Sequence, residues 1–182
     1  IISIGVWLMG TALGALYGKK EYTPEEKTIA GILVIFGILL IVELVYIRTI
    51  SILFDNPPGI FLTFEKQILA IFIAVFPNSF ILGVLFQWCA RYFANQGNTL
   101  ARAYAIESLG GVIGGLLSTF LMKLGSSNFI LMLFCISISV FIGIFYFYKC
   151  RNNKFWVGYI SAAIVLLAVL IYAAELDKNI SS

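Results

Sequence analysis

Residues 101–123 read ARAYAIESLGGVIGGLLSTFLMK, an apolar stretch long enough to cross a membrane as a single helix. At 100° per residue, one side of this helix is small and polar, and the other side is bulky and apolar. The stretch carries four glycines in two overlapping GxxxG pairs, and such small-residue faces allow another helix backbone to approach closely. These glycines are Gly110, Gly111, Gly114 and Gly115. The stretch therefore predicts a membrane-spanning helix that packs through its glycine face.

The composition of the whole chain indicates a membrane protein. Of its 182 residues, 61% are hydrophobic and 12% are charged, and the mean hydropathy is +1.01. A soluble domain has roughly 25% charged residues. The net charge of +3 is small, and no basic run interleaved with aromatic residues suggests a nucleic-acid partner. We therefore predict an all-α, polytopic transmembrane bundle whose partner is the lipid bilayer.

Six stretches are apolar enough to cross a bilayer, which requires about 20 residues each. They cover residues 1–17, 29–53, 64–88, 101–123, 129–148 and 155–174 of a single domain, 1–182. The first stretch is short, and the chain begins inside an apolar run without Met. We therefore expect a fragment of a longer protein, lacking its first helix. Pro77 lies near the middle of the third stretch and predicts a kink or break there, because proline has no amide proton.

Lysine and arginine are unevenly distributed between the two sides of the predicted bundle. Loops around residues 19–27, 91–102 and 149–154 hold eight of the 12, and the opposite side holds four. Cytoplasmic loops of membrane proteins are enriched in these residues. We therefore predict a multi-pass protein of the cell membrane with these three loops in the cytoplasm.

The residue types present exclude several kinds of chemistry. The chain has no His, which excludes catalytic triads and histidine metal sites. Its three cysteines are far apart and form no CxxC motif, so we interpret them as apolar filler. The glycine pairs are not followed by the GK[ST] of a phosphate-binding loop. We predict no catalytic residue, no metal ligand and no cofactor in this chain.

Two acids, Glu43 and Glu107, lie more than one helical turn inside predicted spans, and an acid in such a place indicates binding of a proton or cation. Arg48 lies about 140° from Glu43 on an ideal helix, so we expect Glu43 to find its partner on another helix. The structural alternative for Glu43 is a helix–helix contact, and for Glu107 a hydrogen-bonded glutamate near the membrane edge. Tyr104 lies one turn before Glu107. Asn78 could line a broken-helix binding site at the proline, or the proline could simply kink the helix.

A second glycine repeat occurs in the first predicted span. Gly10, Gly14 and Gly18 form two successive GxxxG pairs, which we interpret as a packing face. We expect this span and the Pro77 span to supply the partners for the glycine face of residues 101–123.

Three stretches resemble a known membrane module. They are VWLMGTALGA at 6–15, FPNSFILGVLF at 76–86 and AYAIESLGGVIGG at 103–115. Together they resemble the N-terminal transmembrane region of membrane-bound spermidine synthase-like proteins, over nearly the whole chain. The resemblance implies a further helix before Ile1. It also implies a fused aminopropyltransferase domain, Rossmann-like in fold, that binds decarboxylated S-adenosylmethionine and a polyamine and has no counterpart in this chain.

The sequence leaves three functions open. In the first, the chain anchors an aminopropyltransferase domain and binds or moves polyamine-like cations. The predicted binding residues are Glu43, Glu107, Tyr104 and Asn78. In the second, it is half of a secondary transporter of the major facilitator type. In the third, it is a purely structural membrane anchor.

Overall fold

The computed structural model describes residues 1–19, 24–54 and 63–149, and this part of the chain is helical. The helices are α1 (Ile2–Gly18), α2 (Glu26–Leu53), α3 (Phe64–Asn95), α4 (Leu100–Lys123) and α5 (Asn128–Lys149). The all-α prediction is confirmed for these residues, and the sixth predicted span, 155–174, lies outside them. Three helices are long and apolar enough to cross a membrane, which is compatible with a membrane protein; they are Glu26–Ile50, Phe64–Asn95 and Leu100–Lys123.

The central helix is α3, which packs against α1, α2 and α4. Its 32 residues give a length of about 48 Å, more than the roughly 30 Å of a bilayer's hydrocarbon core. The helix is continuous through Pro77, so the chain does not break there. The hydroxyl of Ser79 donates to the carbonyl oxygen of Phe76 at 2.9 Å, beside the proline. α3 also continues to Asn95, so residues 91–95, predicted as loop, are helical.

Glycines bring α1 and α3 into close contact. A Cβ added to Gly10 would lie 1.9 Å from Oγ of Ser79, and one added to Gly18 would lie 3.2 Å from Cβ of Gln87. Gly14, between them, is also buried. Because a residue later in α1 contacts a residue later in α3, the two helices run parallel. The first glycine repeat therefore packs on α3, and the predicted pairing with the glycines of residues 101–123 is wrong.

A second glycine interface joins α2 and α5. A Cβ on Gly37 would lie 2.8 Å from Cγ2 of Val140, and one on Gly143 would lie 2.9 Å from Cγ2 of Val34. The residue that comes later in α2 contacts the residue that comes earlier in α5, so these two helices are antiparallel. Ile136 is completely buried at this interface. The sequence analysis did not identify any residue of this interface.

The fourth helix lies at the edge of the bundle. The side chain of Thr99 caps it by accepting a hydrogen bond from the backbone N–H of Arg102 at 3.3 Å. No residue of α4 is buried. A Cβ added to any of its glycines would meet no atom within 4 Å among the described residues; these are Gly110, Gly111, Gly114 and Gly115.

Candidate functional site

Two of the residues predicted to bind a ligand meet at the interface between α2 and α3. Nδ2 of Asn78 donates a hydrogen bond to Oε2 of Glu43. Asn78 is only 9% exposed, and Glu43 is half-buried. The expectation that Glu43 finds its partner on another helix is confirmed, and that partner is Asn78 and not Arg48.

The direction of the two helices explains how these side chains meet. At one end of the pair, Nζ of Lys66 donates to the carbonyl oxygen of Phe54 at 3.3 Å. At the other end, the hydroxyl of Tyr92 donates to a carboxylate oxygen of Glu26. α2 and α3 are therefore antiparallel. Counting from the first residue of each helix, the acid is the 18th of 28 in α2 and the amide is the 15th of 32 in α3. The contact thus lies near the middle of both.

Two polar atoms, one on Asn78 itself and one on α2, are buried and have no hydrogen-bond partner among the described residues. They are Oδ1 of Asn78 and the hydroxyl of Tyr46. Tyr46 follows Glu43 by three positions, so it lies one turn further along the same side of α2. A buried polar group without a partner costs about 1–3 kcal/mol. A group that donated hydrogen bonds to these atoms would remove this cost.

The available groups favour a cation with N–H donors. A carboxylate of Glu43, the amide oxygen of Asn78 and the hydroxyl of Tyr46 are all hydrogen-bond acceptors. An ammonium group has three N–H donors and a positive charge, so it complements this set. Among the described residues, no three His, Cys, Asp or Glu side chains come together as metal ligands do.

The other two predicted residues do not join this site. Glu107 is exposed on α4, and none of the described residues gives it a hydrogen-bond partner. The ring of Tyr104 contacts Phe86 of α3, with centroids 5.1 Å apart. α4 packs on α3 and α5, whereas Glu43 belongs to α2. Of the four predicted binding residues, the fold brings together only Glu43 and Asn78.

Sequence reasoning overlooked Tyr46. The signal was present, because a tyrosine three positions after an acid in an apolar helix shares the face of that acid. What the spacing could not reveal is that the hydroxyl is buried without a partner, since this depends on the neighbouring helices.

Comparison with known proteins gives no match: no family model, no curated protein and no solved structure is significantly similar to this chain. The resemblance to spermidine synthase-like membrane regions therefore stays a prediction that rests on the three stretches quoted above.

Proposed function

We propose that this chain is a multi-pass membrane domain of about six spans that binds a polyamine-like organic cation at Glu43. The observation that carries the proposal is the contact between Glu43 and Asn78 at mid-length of two apolar helices. Oδ1 of Asn78 and the hydroxyl of Tyr46, one turn along α2 from Glu43, are buried without partners among the described residues. In this proposal the domain belongs to a spermidine synthase-like protein and anchors an aminopropyltransferase domain outside this chain.

The chemistry of the site supports a polyamine over a simpler cation. Each ammonium group of a polyamine carries several N–H donors. These can donate hydrogen bonds to the unpaired acceptors, Oδ1 of Asn78 and the hydroxyl of Tyr46. Its methylene segments suit apolar neighbours, and the helices on both sides of Glu43 are strongly apolar. One carboxylate satisfies one ammonium group, so Glu43 holds one end of the ligand.

The direction of the helices supports the proposed arrangement of loops. Nη2 of Arg91 donates to the carbonyl oxygen of Lys19 at 2.5 Å, which joins the end of α3 to the end of α1. The end of α1, the start of α2 and the end of α3 therefore lie on one side of the bundle. In our proposal this side is cytoplasmic, in agreement with its excess of lysine and arginine.

Spermidine binding to the full chain in lipid nanodiscs tests the proposal by isothermal titration calorimetry. Glu43→Gln removes the charge and keeps an acceptor for Asn78, so it should weaken binding roughly tenfold or more, the size of one charge-assisted hydrogen bond. Tyr46→Phe should also weaken binding, and it should leave the protein at least as stable as before, because the buried hydroxyl that it removes has no partner among the described residues.

The matched control is Glu65→Gln, which removes an exposed carboxylate from the first turn of α3. It should bind spermidine as the unchanged chain does. The proposal fails if the unchanged chain does not bind spermidine, or if all three variants bind it equally well. Uptake of labelled spermidine into liposomes then separates movement of the ligand from binding alone.

The same contact supports a second candidate, a structural anchor. Because Asn78 already donates to Glu43, this hydrogen bond can hold α2 and α3 together without any ligand. In that case Glu43→Ala and Asn78→Ala lower the stability of the bundle, and spermidine does not protect it against thermal unfolding.

A further inference from the structure

The side-chain amide of Asn78 offers Glu43 a donor and an acceptor, and only the donor is used. Its Nδ2 donates to Oε2 of Glu43, whereas its Oδ1 is buried without a partner among the described residues. Both atoms belong to one small planar group, and Asn78 is only 9% exposed. The unused acceptor therefore belongs to the same group that already binds the acid.

A proton on Glu43 provides the donor that this oxygen lacks. An ionised carboxylate only accepts hydrogen bonds, but a protonated carboxyl group has one O–H donor and still accepts. An acid and an amide can therefore pair through two parallel hydrogen bonds. In such a pair Nδ2 of Asn78 donates to Oε2, and the O–H on Oε1 donates to Oδ1. The pairing needs only the two side chains that are already in contact.

The helix that carries Asn78 has no cation near the acid. α2 packs against α3 and α5. Between Lys66 and Arg91, α3 contains no Asp, Glu, Lys or Arg, and its one titratable side chain there is the thiol of Cys89. These three residues are 11 to 13 positions from Asn78, which is about 16 Å or more along the helix. α3 therefore gives a charged Glu43 no ion-pair partner.

The described parts of α5 and α2 do not place a cation beside the acid either. Over residues 128–143, the only titratable side chain of α5 is the exposed thiol of Cys135. On α2, Tyr46 presents a phenol one turn away, and Arg48 lies about 140° around the helix from Glu43. An ionised carboxylate without a cation is unfavourable among apolar helices, and a bound proton removes its charge.

We propose that Glu43 is protonated and paired with Asn78 when no ligand is bound, and that it releases this proton when an organic cation binds. The O–H bond of the acid breaks, and the proton passes to water. The ammonium group of the ligand then donates to Oε1 of Glu43 and to Oδ1 of Asn78. The site is electrically neutral in both states. The exchange rests on the proposed function, whereas the protonated pair does not depend on it.

Infrared spectroscopy of the full chain in lipid nanodiscs tests the protonated pair without a ligand. At neutral pH, we expect a C=O stretching band of a protonated carboxyl group that Glu43→Gln abolishes. Asn78→Ala should move this band to higher frequency, because the acid loses the hydrogen bond from Nδ2. The matched control is Glu65→Gln, which removes an exposed carboxylate at the start of α3 and should leave the band unchanged.

Two results overturn the protonated pair. One is the absence of any such band in the unchanged chain, a result that does not depend on how a variant folds. The other is a band that neither Glu43→Gln nor Asn78→Ala alters.

Calorimetric titration with spermidine in two buffers of different ionisation enthalpy tests the exchange. We expect release of about one proton per bound cation, so the affinity should rise about tenfold for each unit of increasing pH. The band of Glu43 should disappear at saturation. Binding without proton release overturns the exchange and leaves the proposed function intact. A lack of spermidine binding overturns both, while the band of the ligand-free chain still decides whether Glu43 is protonated.

Discussion

Asn78 donates a hydrogen bond to Glu43 from 35 positions along the chain, and this bond joins the middle of α3 to the middle of α2. Each residue is polar in a helix that is otherwise strongly apolar. Oδ1 of Asn78 and the hydroxyl of Tyr46, three positions after Glu43 on α2, are buried without partners among the described residues. The same bond can therefore serve both helix packing and ligand binding.

A double-mutant cycle measures how much this bond contributes to the fold. Glu43→Ala and Asn78→Ala should each destabilise the protein, with a coupling of about 0.6–1.7 kcal/mol, the range for polar contacts between membrane helices. The measurement is unfolding of the purified chain in mixed micelles. Glu43→Gln should retain most of the stability, because a glutamine oxygen accepts the same bond. A coupling of zero would contradict the contact.

The backbone contact between α1 and α3 predicts a large effect of one methyl group. A Cβ on Gly14 would lie 2.0 Å from the carbonyl oxygen of Phe80, and that oxygen cannot move without its helix. We expect Gly14→Ala to cost roughly 1–3 kcal/mol, the usual penalty for overpacking. Thermal unfolding followed by circular dichroism measures the change.

Gly5 is the matched control on the same helix, because an added Cβ there meets nothing within 4 Å. Gly5→Ala should leave the stability unchanged or raise it by up to about 1 kcal/mol, since alanine favours a helix over glycine. If Gly14→Ala and Gly5→Ala changed the thermal stability equally, the close approach of the two backbones would not be what holds α1 on α3.

A side-chain hydrogen bond between α2 and α5 can be tested with two serines. The hydroxyl of Ser139 donates to the carbonyl oxygen of Leu33 on the other helix at 2.9 Å. That of Ser137 donates to Leu133 within its own helix at 2.9 Å. Ser139→Ala should lower the unfolding free energy by about 0.5–1.5 kcal/mol, whereas Ser137→Ala should change it little. The opposite order would show that the bond between the helices does not contribute.

Two threonines at helix starts provide a similar comparison. Thr99 caps α4 through its side chain, and Thr63 precedes α3 without a side-chain capping bond. Thr99→Ala should cost about 1 kcal/mol, and Thr63→Ala should cost much less. Hydrogen exchange of the amides in the first turn of each helix reports the loss locally. Equal exchange in the two variants would argue against the cap.

The helices could be predicted from the sequence because their cause is local. Long apolar runs in the ranges 29–53, 64–88 and 101–123 imply helices, since a helix satisfies its own backbone hydrogen bonds in an apolar medium. The cap at Thr99 also follows from adjacent residues. The end of α3 was placed too early, at 88, because the polar residues 91–95 read as a loop. They continue the helix, and Tyr92 there bonds to Glu26, a contact that is distant in sequence.

The sequence by itself determined the all-α class, the acids within apolar helices and the glycine repeats available for packing. Only the tertiary structure decided that Gly14 packs on α3, that the glycines of α4 stay open within the described residues, and that Glu43 meets Asn78. The physical reason is that one small-residue face fits another almost equally well. Which faces meet depends on the directions and depths of whole helices, and these are not encoded in any single stretch.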